Sequence, residues 1–276
     1  MDRFPRPSKP RGFDASVKAH KDRVQSHFKK KKPGKWKFED IWSKYKRNIA
    51  VASHGKCGYC EVRVTGSQHG DVDHFYPKGE VWALHDDRTK WGQEIPGLSK
   101  VKGRKKKLLS RRGYWWLVYE WKNYVLACLV CNQQWKLSFF PVRAKRRKLP
   151  PLPRSKEKPL LLNPFFGPDP VRHLQFIITG AIIPYKGSRY GFETIRTCGL
   201  DRPSLTLDRH EKAQRAYYLL KKLTTCLPTT PEYDLTLKDF FLMGRKENVH
   251  SGMIRAIFEQ ETAMKWKQLE KRFAIP

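Results

Sequence analysis

No apolar run in this 276-residue sequence approaches the length of a membrane span. The longest, Tyr124–Val130 and Phe176–Ile183, fall far short of the roughly 20 residues required. The first residues, Met1-Asp2-Arg3-Phe4-Pro5-Arg6-Pro7, hold no apolar stretch of the kind a secretory signal needs, so a cytoplasmic protein without membrane contact is expected. A G-x-x-x-x-G-K-[ST] phosphate loop is missing too. Gly34-Lys35 and Gly55-Lys56 are followed by Trp and Cys, so any dependence on ATP has to come from another chain. Acid is scarce: 26 Asp and Glu stand against 57 Lys and Arg, a formal charge of +31. Such an imbalance calls for a polyanion. Nucleic acid leads, because each neutralised phosphate releases a counterion, while no basic amphipathic helix with a Trp/Leu face points to an anionic membrane. Global disorder is excluded by a hydrophobic content of 39% and nine tryptophans.

Four of the six cysteines, Cys57, Cys60, Cys128 and Cys131, form two C-x-x-C pairs. Without a secretion signal this pattern reads as zinc rather than disulfide. The pairs are 67 residues apart, too far for a zinc ribbon, but the spacing fits one structural Zn²⁺ that clamps a module inserted between two knuckles. Cys198 and Cys226 read as reduced thiols with an apolar filling role.

The organisation along the chain predicts an α+β protein. Residues 1–38 are basic and dotted with proline, with a short helix over Asp14–Phe28. An amphipathic helix is predicted over 39–53 from the spacing of Ile41, Trp42, Tyr45, Ile49 and Ala52, with a short strand near Val62 and Val64. Residues 79–112 read as a basic insert, and Arg143–Pro159 as the boundary of a module spanning 39–148. In 149–276 a hairpin is predicted around Gly180 (Leu174–Thr179 with Ala181–Tyr185). Helices are predicted at Leu205–Leu223, Pro231–Met243 and, in one long piece, Glu247–Phe273.

Between and around the knuckles stand Asp71-Val72-Asp73-His74-Phe75-Tyr76-Pro77-Lys78, Trp121-Lys122-Asn123-Tyr124 and Cys131-Asn132-Gln133-Gln134-Trp135-Lys136. Taken singly these are weak signals. In order they give knuckle, Asp-His, Asn, knuckle, Asn, which resembles the HNH endonuclease family. Further segments are similar to one of its subfamilies: Lys56-Cys57-Gly58-Tyr59-Cys60-Glu61, Tyr114-Trp115-Trp116-Leu117, Phe140-Pro141-Val142, Leu161-Leu162-Asn163-Pro164, Asp169-Pro170 with His173-Leu174, and Gly199-Leu200-Asp201-Arg202. That subfamily includes the HNH subunit of the Septu anti-phage system, also found with some retrons, which works beside an SMC/ABC-type ATPase. The resemblance spans about residues 40–220.

The resemblance implies a small zinc-braced ββα-metal module between an N-terminal helical segment and a mostly helical C-terminal region, which is a candidate for partner docking. It also implies hydrolysis of DNA phosphodiester bonds. His74 would take the proton of the attacking water, since neutral imidazole is the natural base near pH 7. Asp73 and Asn132 would hold Mg²⁺ or Mn²⁺, and Asn123 would fix the loop that carries His74. Lys78 and Lys136 are candidate phosphate contacts. Asp71, His54, His69 and His173 read as surface or packing residues. The basic runs 29–32, 102–107 and 143–148 would form a track for the nucleic-acid backbone. Two alternatives stay open: a zinc-stabilised nucleic-acid-binding protein without catalysis, and an RNA-cleaving enzyme with the same site.

Overall fold

The computed structural model describes residues 1–30, 34–64, 70–84, 106–143 and 157–273. Most of the basic runs at 29–32, 102–107 and 143–148 lie outside them, as does His69. The protein is α+β, as expected. Its centre is an antiparallel pair, β1 (Gly70–His74) and β4 (Tyr124–Cys128), in the register Gly70 to Cys128 and His74 to Tyr124. Every residue of β4 is buried, which its uninterrupted apolar sequence requires. A wide, π-type helical turn, Val130–Lys136, follows at once and lays Trp135 and Lys136 inward. Strand, strand and helix thus form a ββα unit.

Between its two strands the chain leaves for a second antiparallel pair, β2 (Val81–Leu84) with β3 (Lys106–Ser110), and returns through aromatic 3₁₀ turns at Trp115–Leu117 and Trp121–Asn123. Before the unit come α1 (Phe13–Phe28), which buries Phe13, Val17 and Val24, and α2 (Lys46–Ala52), preceded by a 3₁₀ turn that buries Trp42. The first residues are laid across the hairpin. The Phe4 amide donates to Pro164 O at 2.8 Å, Arg6 to Tyr124 O at 2.9 Å and the Trp121 indole to Pro7 O at 3.0 Å.

After the short pair β5 (Val142–Arg143) and β6 (Lys158–Pro159) comes the expected hairpin, with β7 at Leu174–Phe176 and β8 at Ile182–Pro184. Five helices complete the chain: α3 (Arg189–Cys198), α4 (Pro203–Thr225), α5 (Pro231–Met243), α6 (Ser251–Glu261) and α7 (Trp266–Phe273). Among the described residues no helix is long and apolar enough to cross a membrane. One apolar core runs from Met1 through the ββα unit to Leu269.

Three features differ from the sequence reading. The last helix is broken at 262–265: Thr262 turns to extended backbone, and the Glu259 carboxylate accepts the Trp266 amide at 2.8 Å. The break lets Trp266 fold back against Phe258 and Gly244 and bury itself. No strand forms at Val62–Val64; a single bridge between Lys56 and Arg63 takes its place. Helix α3 was not expected, because Gly191, Thr194, Ile195 and Thr197 are poor helix formers. It is fixed at its ends instead. Ser188 accepts the Gly191 amide, and Gly199 closes the helix in the left-handed region at φ 59°. Gly199 has a second reason to be glycine, since a Cβ there would stand 1.9 Å from the Trp135 ring.

Candidate functional site

The two knuckles meet at the Gly70–Cys128 end of the central hairpin. The first hangs on β4, where the Gly58 amide donates to Leu126 O at 2.7 Å; a Cβ on Gly58 would press to 2.7 Å from the Val125 side chain. The second begins on β4 itself. The sulfurs of Cys57, Cys60, Cys128 and Cys131 all lie within 4.8 Å of one another, and those of Cys60 and Cys128 are 3.7 Å apart. A tetrahedral Zn²⁺ with Zn–S bonds of about 2.3 Å places its sulfurs about 3.8 Å apart, so four buried thiols so arranged could hold a zinc ion. Backbone amides of Tyr59 and Cys131 point at the sulfurs of Cys57 and Cys128. Arg202, also buried, brings its guanidinium 3.7 Å from Cys131 Sγ while donating to Gly199 O. Four thiolates around one Zn²⁺ carry a net charge of −2, and a buried cation beside them offsets it. The Gly199-Leu200-Asp201-Arg202 segment, whose role the sequence left open, thereby acquires one.

At the opposite end of the hairpin stands His74, buried, with its ring edge-on to Trp42 at 4.5 Å and to its cross-strand neighbour Tyr124 at 5.3 Å. Its Nε2 is 2.9 Å from Val118 O. A carbonyl can only accept, so Nε2 carries the proton and, in the neutral ring, Nδ1 carries the lone pair. No hydrogen-bond partner faces Nδ1 among the described residues. Burial above all, with the positive charges of Lys78 and Lys136, holds this imidazole well below its ordinary pKa despite the Val118 bond. It is a neutral base at pH 7.

Asn123 holds the loop that follows His74. Its Oδ1 accepts the Tyr76 amide at 2.7 Å, its Nδ2 donates to Tyr76 O and Leu117 O at 3.1 and 2.9 Å, and its own carbonyl accepts the Phe75 amide. Every polar group of this buried side chain is used. The carbonyl of Val118, which sets the tautomer of His74, lies one residue beyond Leu117, so a single asparagine ties together both sides of the histidine.

Lys136, and the pairing of Asp73 with Asn132, depart from the sequence reading. Lys136, expected as a phosphate contact, is fully buried. Its ammonium lies 3.0 Å from Asp73 Oδ1, 2.9 Å from Oδ2 and 3.0 Å from His74 O. A lysine so enclosed is the counter-ion of a carboxylate, not a surface charge. Asp73 also accepts a 2.6 Å bond from the Tyr59 hydroxyl. Burial raises its pKa, and Lys136 and Tyr59 act against that rise. Asn132 donates to Asp71 Oδ2 at 3.0 Å, and Asp71 and Asn132 are the partly exposed oxygen carriers on this side of the hairpin. Among the described residues no contact joins the Asp73 carboxylate to Asn132 or to the His74 ring. Lys78 sits at the His74 side, its ammonium 3.5 Å from the centroid of Trp42, and its burial brings its pKa down to about 8. Of the other histidines, His54 packs near Phe4 in a left-handed conformation and His173 bonds the Ser188 cap. Tyr59, Trp42, Arg202 and the Val118 carbonyl escaped sequence reasoning. Arg202 and Tyr59 carried a signal, each as part of a segment similar to the subfamily.

Fold and site together define an α+β protein built on a ββα unit, with a buried four-cysteine cluster at one end and a buried neutral histidine at the other. No family model matches the chain. Over 162 residues, 58% of its length, it is 33% identical to the Septu protein PtuB of Bacillus mycoides (strain KBAB4). The match covers 48% of that protein, so the chain spans about half the length of the curated relative it matches.

Proposed function

We propose that this chain is an HNH-type endonuclease that hydrolyses DNA phosphodiester bonds as the effector of an anti-phage defence system. The observation that carries the reading is His74: neutral, protonated on Nε2 by its bond to Val118 O, and held in place through Asn123. In this reading Nδ1 takes the proton of a water attacking phosphorus, and the Lys78 ammonium lies beside the phosphate. The similarity to the Septu protein PtuB supports the defence role. The cation expected on Asp73 and Asn132 fits this conformation poorly, because Lys136 and Tyr59 engage both oxygens of Asp73, so no step is assigned to it. The same engagement favours the second reading, a zinc-stabilised nucleic-acid binder without catalysis.

One comparison separates the two. With Mg²⁺ or Mn²⁺ added, the protein should cut plasmid DNA, and His74→Ala should lower the rate at least about 10²-fold, the usual contribution of a general base. Affinity should hardly change, because contacts of Lys and Arg with phosphate dominate it. If His74→Ala cuts as fast as the parent, or the parent does not cut at all, the binder remains. An RNA substrate run in parallel reads the sugar preference.

A separate ATPase is the proposed partner, with the 149–276 region as its dock. Between α4 and α5 lies a cleft that exposes Tyr218 and Leu242, apolar surface the chain itself leaves uncovered. Tyr218→Asp with Leu242→Asp should abolish co-purification with a co-expressed ATPase of the defence system while leaving thermal melting near that of the parent. Intact co-purification would move the dock elsewhere.

A further inference from the structure

Next to the His74 end of the hairpin runs a groove of about 570 Å³ whose walls differ in chemistry. One wall is aromatic. Trp36 is half-buried, with its ring against His27 at 4.6 Å, and Phe38 is stacked on Phe28 at 6.4 Å and 14°. Phe28 in turn lies flat on Trp115 at 4.9 Å and 11°. The wall is therefore ordered by its own stacking before any ligand arrives. The rest of the lining is cationic: Lys35, Lys78, Arg111 and Arg112 against one acid, Glu80. Lys35, Arg111 and Arg112 are exposed and make no ion pair among the described residues. The inner end of the groove is Lys78, whose ammonium lies over Trp42, and the Trp42 ring touches that of His74.

Four cations select a polyanion. The aromatic wall selects among polyanions, because a duplex shows phosphates outward and hides the faces of its bases, whereas an unpaired strand offers both. An acidic protein surface would match the cations and leave the aromatic wall unused. We propose that this groove is a single-strand subsite: Trp36 and Phe38 stack unpaired bases, while Lys35, Arg111, Arg112 and Lys78 hold the phosphates. That the strand continues to His74 for cleavage rests on the nuclease reading. That the groove binds single strands does not.

The test is binding without added divalent cation, so that cleavage plays no part. Labelled 12-mers of dT and of U and a 20-base-pair duplex are titrated against the parent protein, Trp36→Ala, Trp36→Phe and the double variant Arg111→Glu/Arg112→Glu. Trp36→Ala should weaken binding of at least one single-stranded probe about tenfold, the loss of one stacked base, and the duplex less than about twofold. Trp36→Phe should retain most of the single-strand affinity, since a ring is still present. The arginine double variant should weaken single-strand binding about tenfold and flatten its salt dependence. Which 12-mer responds to Trp36 identifies the sugar. The proposal fails if Trp36→Ala weakens single strands and duplex alike, if it weakens neither, or if Trp36→Phe loses as much as alanine does. If Trp36→Ala proves too unstable to assay, the exposed arginines decide: single-strand affinity equal to that of the parent overturns the subsite. A normal result here beside an inactive His74 comparison would remove catalysis and leave the groove standing.

Discussion

Stripping zinc from the folded protein, or replacing Cys131 by serine, is expected to abolish its cooperative thermal unfolding. Structural zinc contributes on the order of 10 kcal/mol or more in small modules, while a whole domain is stable by only about 5–15 kcal/mol. A metal held by this cluster would be costly to lose. The four sulfurs are almost completely buried, and Arg202 is enclosed beside them, so removing the ion leaves a buried guanidinium facing neutral thiols. The knuckles are, moreover, the join between β4 and the segment that carries Tyr59 to Asp73. Elemental analysis should find about one Zn²⁺ per chain in the parent and in Cys226→Ser, whose thiol lies outside the cluster, and none in Cys131→Ser. A metal-free preparation that melts like the parent would disprove the four-cysteine assignment.

Lys136→Met is expected to cost about 3–5 kcal/mol of stability, lowering the melting temperature by roughly 10 °C. Methionine fills nearly the same space, so packing is preserved and the loss isolates the charge. Asp73 would remain buried with only the Tyr59 hydroxyl to stabilise its ionised form. The double variant Asp73→Asn/Lys136→Met should recover much of the loss, because neither charge is then left unpaired. Denaturant titration of the four proteins gives the coupling directly. An unchanged midpoint for Lys136→Met would mean that water reaches the pair and that Lys136 is not its counter-ion.

The sequence disclosed those parts of the fold that follow from local pattern. Helix α5 lies where Pro231 and the apolar spacing put it, and the hairpin around Gly180 follows from two short apolar runs about one turn residue. Helix α3 was hidden because its stability comes from its two caps and from Trp135 packing on Gly199, which is a contact between residues 64 positions apart. The break before Trp266 was hidden for a similar reason, since it serves the burial of one indole against α5 and α6. In the site, the knuckles were legible because thiol spacing alone carries chemistry, and Asn123 because its place in the motif order was distinctive. Lys136 was misjudged since lysine is ordinarily exposed, and nothing local shows that its partner lies 63 residues earlier on a facing strand. Asp73 and Asn132 were paired on motif order, whereas Asp71 and Asp73 share one face of β1 and it is Asp71 that meets Asn132, while Asp73 meets Lys136.

The placement of the two knuckles bears on how such a chain can change over generations. Cys60 and Cys128 are the ends of a 67-residue excursion, and their sulfurs are held side by side. For a connection whose two ends are fixed, doubling the length costs only about 0.6 kcal/mol of closure entropy, small beside the roughly 10 kcal/mol that a structural zinc would supply. Insertions into the connections between strands within this excursion are therefore cheap for folding, whereas a single residue added to β1, which also lies within it, would turn Asp73 and His74 to the wrong faces. Diversity among relatives should accordingly collect as length variation in those connections, with the two strands and the turn after them held to constant size.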